Sequence, residues 1–361
     1  MAAQGQQAVP DRMQAVELRA PGEWSVESVE TPQVDAVENV LMKVRAVAIC
    51  GTDPKLMNGK YPEWPPSFPF IPGHEYAGEV VAVHDSVHRF EPGDRVFGET
   101  PSGCGYCRMC REGRYNLCYN YGDFESGHRQ IGHTMDGAFA EYVTVPADMI
   151  HHLHESISFA EGAILDTNAI ALQCSERADI VAGDDVAVIG TGTIGLCMLQ
   201  HADAMGADTV IAIGNPNKNE IAADLGATHT IDYHDDDVVE QVRELTGGHG
   251  ADVTLEGVGI GQTVRQAVSM TRKGGNVSVD GVPTDELNEV QVKDIVLREL
   301  KFIGNRAQAN RSRASEKLVR SGKVDLTPLI THEFDLEDFE DAYAATTDPD
   351  ENAIRVVLHN E

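Results

Sequence analysis

Asp185-Val-Ala-Val-Ile189 runs straight into Gly190-Thr191-Gly192-Thr193-Ile194-Gly195, and an apolar helical segment follows. The five residues before the first glycine read as a buried strand. Glycines spaced G-x-G-x-x-G arise often by chance, but between a strand and a helix they form the turn on which a dinucleotide rests its pyrophosphate. Gly190 permits the tight turn, Gly192 lets the pyrophosphate approach the backbone, and Gly195 lets helix and strand pack closely. The helix N-terminus supplies free N–H donors and the positive end of its dipole. A purely structural glycine turn is the competing reading.

Downstream of this turn, strand and helix alternate. Strands are predicted at 185–189, 209–213, 228–231, 253–256, 276–280 and 301–303. Such alternation implies a parallel, doubly wound sheet. An NAD site calls for Asp or Glu at the end of the second strand, to hold the ribose 2′-hydroxyl. Here Ala212-Ile213 runs into Gly214-Asn215-Pro-Asn-Lys218, and the acid is missing. Gly214 leaves room for a 2′-phosphate and Lys218 could neutralise it, so the reading favours NADP over NAD. Arg306, just past the last strand, is a candidate phosphate contact, with a surface ion pair as the alternative.

Upstream, short strand candidates broken by Gly and Pro lie at 40–49, 79–83, 95–97 and 138–145, the pattern of a largely β domain. Residues 159–177 look helical. The chain is thus expected to divide into a mainly β domain over 1–165, an α/β dinucleotide-binding domain over 166–305, and a return to the first domain over 306–361.

Within the β domain, Cys104-Gly-Tyr-Cys107-Arg-Met-Cys110 is followed by Cys118, a C-x2-C-x2-C-x7-C run. Four thiolates this close can surround one tetrahedral Zn²⁺, with ligands at about 2.3 Å. Such a site is closed, so it would hold a lobe at about 99–122 and do no chemistry. A pair of disulfides is the alternative. The start, MAAQGQQAVPDR, lacks the basic and apolar regions of a signal peptide, and the seven cysteines are an odd number. Both features suit a reducing cytoplasm. Cys174 and Cys197, each isolated, read as core.

A second metal candidate is scattered. Cys50-Gly-Thr52-Asp53 follows the first long strand candidate, and Gly73-His74-Glu75 comes 23 residues after Cys50. Singly, a Cys in a β domain reads as core and a His-Glu pair as surface. His151, His152 and His154 read as solvated.

The net charge of −30, from 58 acidic and 28 basic residues, argues against nucleic acid or anionic lipid as a partner. The acids are spread along the chain, so an acidic tail is unlike this pattern. Salt would screen the self-repulsion, which predicts a salt-requiring, halophilic protein. No apolar stretch approaches the ~20 residues that span a bilayer.

Taken together, these marks resemble the zinc-dependent medium-chain dehydrogenase/reductase superfamily over residues 13–361. They are Cys50-Gly-Thr52-Asp53, Gly73-His-Glu-Tyr-Ala-Gly78, Pro92-Gly-Asp94-Arg-Val, the Cys104 to Cys118 lobe, Asp136-Gly-Ala-Phe-Ala-Glu-Tyr142 and Gly190 to Gly195. The polyol, sugar and threonine dehydrogenases are the most similar group. The resemblance implies a GroES-like, mainly β catalytic domain and a Rossmann cofactor domain. It also implies two zinc ions per chain, NADP or NAD, and a homo-dimer or homo-tetramer. It gives Cys50 and His74 as ligands of a reactive zinc, Glu75 as a ligand or a residue just outside, and Asp166 as the fourth candidate. Zinc with an open position makes a bound alcohol easier to deprotonate. Thr52 would carry the proton away through its hydroxyl. Lys55 stands where many members have His. Trp64, Phe68 and Phe124 are candidate pocket-lining residues. The rival readings are a metal-independent quinone or enoyl-type NADP reductase, and a zinc-ribbon binding module without catalysis.

Overall fold

The strand ahead of the glycine turn lies in the middle of a six-stranded sheet. The computed structural model describes residues 9–37, 39–61, 67–282 and 290–360. Asp185–Ile189 (β1), Thr209–Gly214 (β2), His229–Asp232 (β3), Ala251–Glu256 (β4), Thr271–Val279 (β5) and Lys301–Gly304 (β6) pair in the order β3-β2-β1-β4-β5-β6. Every pairing is parallel. Val186, Ala187, Val188 and Ile189 of β1 are all buried, as expected of a strand covered on both faces. Strand order reverses beside β1, which opens a crevice at the carboxyl ends of the strands.

This sheet belongs to a unit spanning Thr167–Leu329, and the chain returns to the other unit at Ile330 rather than at 306. The reason is a set of polar ties that hold the intervening segment. Asn168 Nδ2 donates to Ser315 Oγ at 2.9 Å, Ala309 N donates to Gln173 Oε1 at 2.9 Å, and Gln200 Nε2 donates to Asp325 O at 3.0 Å.

The other unit comprises Met1–Asp166 and Ile330–Glu361. Its seven-stranded sheet is built round Asn39–Ile49, which pairs antiparallel with Glu75–Val83, Arg355–His359 and Tyr142–Pro146. Val44, Val47, Tyr76, Phe139 and Phe339 belong to its hydrophobic core. A hairpin, Arg12–Ala20 with Glu23–Glu30, was not predicted, and its second strand is half-exposed and polar. The expected helix at 159–177 is two helices, Phe159–Ala163 and Leu165–Arg177, parted at Ile164. Ser158 and Glu161 start the first with a reciprocal capping box. Among the described residues, no helix is long and apolar enough to cross a membrane.

One feature of register positions the chemistry. Ala48 pairs with Glu75 and Val47 with Tyr76, so the two strands bring Cys50, just past one, and His74, just before the other, to the same end of the sheet.

Candidate active site

The ligand atoms of Cys50, His74 and Glu75 all lie within 4.8 Å of one another. His74 and Glu75 are buried. Asp53 organises Cys50 and His74. Its Oδ2 accepts the Cys50 backbone N–H at 2.7 Å, and its Oδ1 lies 3.1 Å from His74 Nδ1. A proton on Nδ1 directed at Asp53 leaves the Nε2 lone pair open, the arrangement a metal-binding imidazole uses. Burial disfavours a charged ring, but the Asp53 carboxylate and the Cys50 sulfur hold the His74 pKa well above the usual value, so a metal would take the place of the proton on Nε2. Thr52 Oγ1 lies 3.4 Å from His74 Nε2. Glu75 Oε2 sits 3.0 Å from Nη1 of the buried Arg355, on the strand Arg355–His359. Sulfur, nitrogen and oxygen donors converging at one buried point fit zinc.

Asp166 does not join this group. It is buried, but its Oδ2 accepts from both the Thr100 backbone N–H (3.1 Å) and the Thr100 hydroxyl (2.6 Å). The carboxylate ties the start of helix Leu165–Arg177 to the segment between Arg95–Gly98 and Pro101–Ser102, and it is not among the groups that converge with Cys50. Two groups that the sequence did not single out are present instead. The His133 ring packs on His74 with centroids 4.6 Å apart, and burial with His74 pushes its pKa down to about 3, so it stays neutral. Tyr61 lies within electrostatic reach of Cys50. Asp53 stood in the quoted motif without a role.

Of the three candidate pocket residues, Trp64 lies outside the described residues. Phe68 and Phe124 are exposed, and Phe124 is covered by the Arg129 guanidinium 4.2 Å from its centroid. His152 and His154 are exposed, whereas His151 bonds Glu99 at 2.8 Å.

The four-cysteine lobe also converges, again with all sulfurs within 4.8 Å. All four are free thiols. Cys104 and Cys110 sulfurs are 4.0 Å apart, and those of Cys107 and Cys118 are 3.9 Å apart. Tetrahedral zinc with sulfurs at about 2.3 Å sets edges of about 3.8 Å, so the spacing fits the ion and excludes a bonded pair. Backbone N–H groups of Cys110 and Tyr119 pull the Cys107 thiol down to about 6, towards the thiolate a metal needs.

In the second unit, the glycine turn borders a crevice of about 760 Å³. Gly190, Thr191, Gly192, Gly214, Asn215 and Lys218 line it, together with Tyr233 to Asp236 beyond β3 and Gln262, Thr263 and Gln266 beyond β4. Thr193, Ile194 and Gly195 are not among the lining residues. Gly190 has φ +105°, which favours glycine. A Cβ on Gly195 would lie 1.7 Å from Gly190 O, so helix and turn touch there, whereas a Cβ on Gly192 would meet nothing within 4 Å. Gly192 is thus the glycine that faces open crevice. Gly214 has a different cause from the one expected. A Cβ there would lie 2.0 Å from Thr191 Oγ1, and that hydroxyl accepts the Asn215 N–H at 3.2 Å. The glycine answers to Thr191 rather than to a phosphate. Lys218 lines the crevice half-buried, and burial lowers its pKa. Arg306 is exposed and is not among the lining residues.

Residues 37–155 match the alcohol dehydrogenase GroES-like domain, and residues 193–321 match the zinc-binding dehydrogenase domain. The chain is 32% identical to a sorbitol dehydrogenase of Bacillus subtilis, over 97% of this chain and 98% of that protein. It is 34% identical to an L-threonine 3-dehydrogenase of Alteromonas mediterranea, over 90% and 94% respectively. A zinc-binding dehydrogenase of Sinorhizobium meliloti, solved with NADP, superimposes with a TM-score of 0.89 at 33% identity, covering 97% of this chain and 100% of that one. With a GroES-like catalytic unit, a doubly wound cofactor unit and matches along nearly its whole length, the chain belongs to the zinc-dependent medium-chain dehydrogenases, enzymes that use zinc and a nicotinamide cofactor.

Proposed function

We propose that this enzyme oxidises a secondary alcohol, polyol or sugar-like hydroxyl to the carbonyl, preferring NADP to NAD. Two zinc ions are assigned, one to Cys50, His74 and Glu75, and a structural one to Cys104, Cys107, Cys110 and Cys118. The observation that carries the reading is the convergence of a thiol, an imidazole and a carboxylate within 4.8 Å at one end of the sheet. Sorbitol and L-threonine, the compounds for which the two relatives are named, both carry secondary hydroxyls.

The zinc at Cys50 supplies polarisation of the substrate oxygen, which makes a hydroxyl easier to deprotonate and a carbonyl easier to reduce. A nicotinamide cofactor, when bound, would supply the hydride acceptor. The chain's own residues do the rest. Asp53 holds His74 in the tautomer that exposes Nε2 and fixes the Cys50 backbone through the same carboxylate. Arg355 holds one oxygen of Glu75 and leaves the other available. Thr52 both donates and accepts through its hydroxyl, so it can pass the proton on. His133 closes one face of His74 to water. Assembly as a dimer or tetramer in the cytoplasm belongs to the same proposal.

A panel of alcohols, polyols, aldoses and threonine, assayed with each nicotinamide in molar salt, tests the reading. Turnover of none of them would overturn it. The NADP preference rests on Lys218 and on the absence of an acid at the end of β2. Lys218→Ala is expected to weaken NADP binding about tenfold and leave NAD binding unchanged, since a charge-assisted phosphate contact contributes roughly 1.5–3 kcal/mol. Equal losses for the two cofactors would remove the 2′-phosphate role. The charge of −30 predicts a melting temperature that rises steadily between 0.1 and 2 M KCl, as salt screens self-repulsion. A maximum in dilute buffer would contradict a salt requirement.

A further inference from the structure

A sheet of this order receives a dinucleotide as two halves, adenosine over the ends of β2 and β3 and nicotinamide over the ends of β4 and β5. The nicotinamide side ends in two acids. Glu256 is the last residue of β4, and Asp280 directly follows β5, its backbone N–H donating to Glu256 O at 2.9 Å. Glu256 is fully buried. Its Oε1 accepts from Val258 N (2.9 Å), Gly259 N (2.8 Å) and Thr263 Oγ1 (2.7 Å), while its Oε2 has no hydrogen-bond partner among the described residues. Asp280 is partly exposed, and its Oδ1 accepts from Asn305 Nδ2 at 2.6 Å. The strand ends are pressed together there, since a Cβ on Gly281 would lie 2.1 Å from Gly259 N. Asp280 is thereby held beside Glu256 and Gly257 at the carboxyl ends of the strands; Gly257 lines the crevice, and neither acid is itself among its lining residues.

Among the described residues, no cation answers these charges. Arg177 directs its guanidinium to Gly304 O (2.8 Å) and Asn305 Oδ1 (3.1 Å), and the Cys174 thiol lies against Ser278. No ion pair joins a described Lys or Arg to either acid. Burial and then the nearby Glu256 push Asp280 up to about 6, so it is ionised at pH 8.

An oxidised nicotinamide ring carries a positive charge and a reduced ring carries none. We propose that Asp280, backed by Glu256, is a redox-discriminating residue whose carboxylate makes the protein hold the oxidised cofactor more tightly than the reduced one. This rests on the reading of the second unit's crevice as the dinucleotide site. The enzyme is thereby poised to take up oxidised cofactor and release the reduced form, the order that alcohol oxidation needs. A unit charge brought close to the ring, in a partly buried setting, would shift the ratio of the two affinities about tenfold.

The test is the pair of dissociation constants for oxidised and reduced cofactor, measured at pH 8 by calorimetry and fluorescence on the zinc-loaded enzyme. Asp280→Asn and Asp280→Ser are expected to bind the oxidised form about tenfold more weakly relative to the reduced form, whereas Asp280→Glu keeps the wild-type ratio. In the wild type, the same ratio should fall between pH 8 and pH 6, with the cofactor phosphates cancelling between the two forms. A ratio unmoved by the neutral variants, or by pH in the wild type, while both forms still bind, would overturn the proposal and leave the dinucleotide site standing. Failure of the wild type to bind either form would remove the site itself, and the proposal with it.

Discussion

Cys50→Ser is expected to lower kcat/KM by about three orders of magnitude while the melting temperature stays within a few degrees of wild type. Polarisation of the substrate oxygen by a metal contributes several kcal/mol to the transition state, and each ~1.4 kcal/mol is a factor of ten. Cys50 is a suitable place to read that loss. Its sulfur is one of three donors at the site, and its backbone N–H is held by Asp53 whatever the side chain. Serine keeps the size of the group and removes the thiolate. Its position past the end of Asn39–Ile49 leaves the sheet's register with Glu75–Val83 untouched. Near-normal turnover would refute the assignment of the reactive metal. A collapsed fold would show that Cys50 is instead part of the core.

The second large effect is expected in the lobe. Cys107→Ser should release one zinc per chain, open the segment around residues 99–122 to proteolysis, and lower the melting temperature by roughly 5–10 °C. Beyond its base, where Asp166 holds Thr100 and Glu99 binds His151 and Tyr115, the lobe has little apolar packing. Its helix Arg108–Arg111 is a single turn with no buried residue, and Tyr106 and Tyr119 are exposed. The four sulfurs, with the Cys104 N–H donating to Cys118 Sγ at 3.5 Å, are its centre. Turnover should fall only as far as unfolding explains. Unchanged metal content and melting would count against a structural zinc.

The parallel sheet was legible in the sequence because its strands are short apolar runs bounded by glycine or helix signals, and five of the six begin within two residues of the expected positions. The sixth, Thr271–Val279, begins earlier because it carries Gly274-Gly275 through a shift in register, where an apolar pattern is silent. Glu23–Glu30 escaped for a similar reason, since both of its faces are partly wet and the alternation that marks a half-buried strand is blurred. Ile330 as the point of return could not be read, because the ties from Asn168, Gln173 and Gln200 are long-range pairings of polar residues.

The site followed the same division. Cys50, His74 and Glu75 were visible as residue types, and the antiparallel register that gathers them is a property of the sheet. Asp53 was in plain view, but its double use by Cys50 and His74 depends on the turn at Cys50. Asp166 had the right chemistry at the right offset, yet Thr100, far away in sequence, occupies its Oδ2. Gly214 invited an argument about a phosphate when the nearest atom is the hydroxyl of Thr191. In each case local sequence indicated what a residue can do, and the packing neighbour decided what it does.

Zinc counting on purified, zinc-saturated protein, paired with turnover, bears most directly on the account. It predicts two zinc ions per chain in the wild type, and one in Cys50→Ser, with hydride transfer lost alongside the missing ion. A wild type that binds a single zinc, or a Cys50→Ser protein that keeps both ions and still reduces the cofactor, would contradict it.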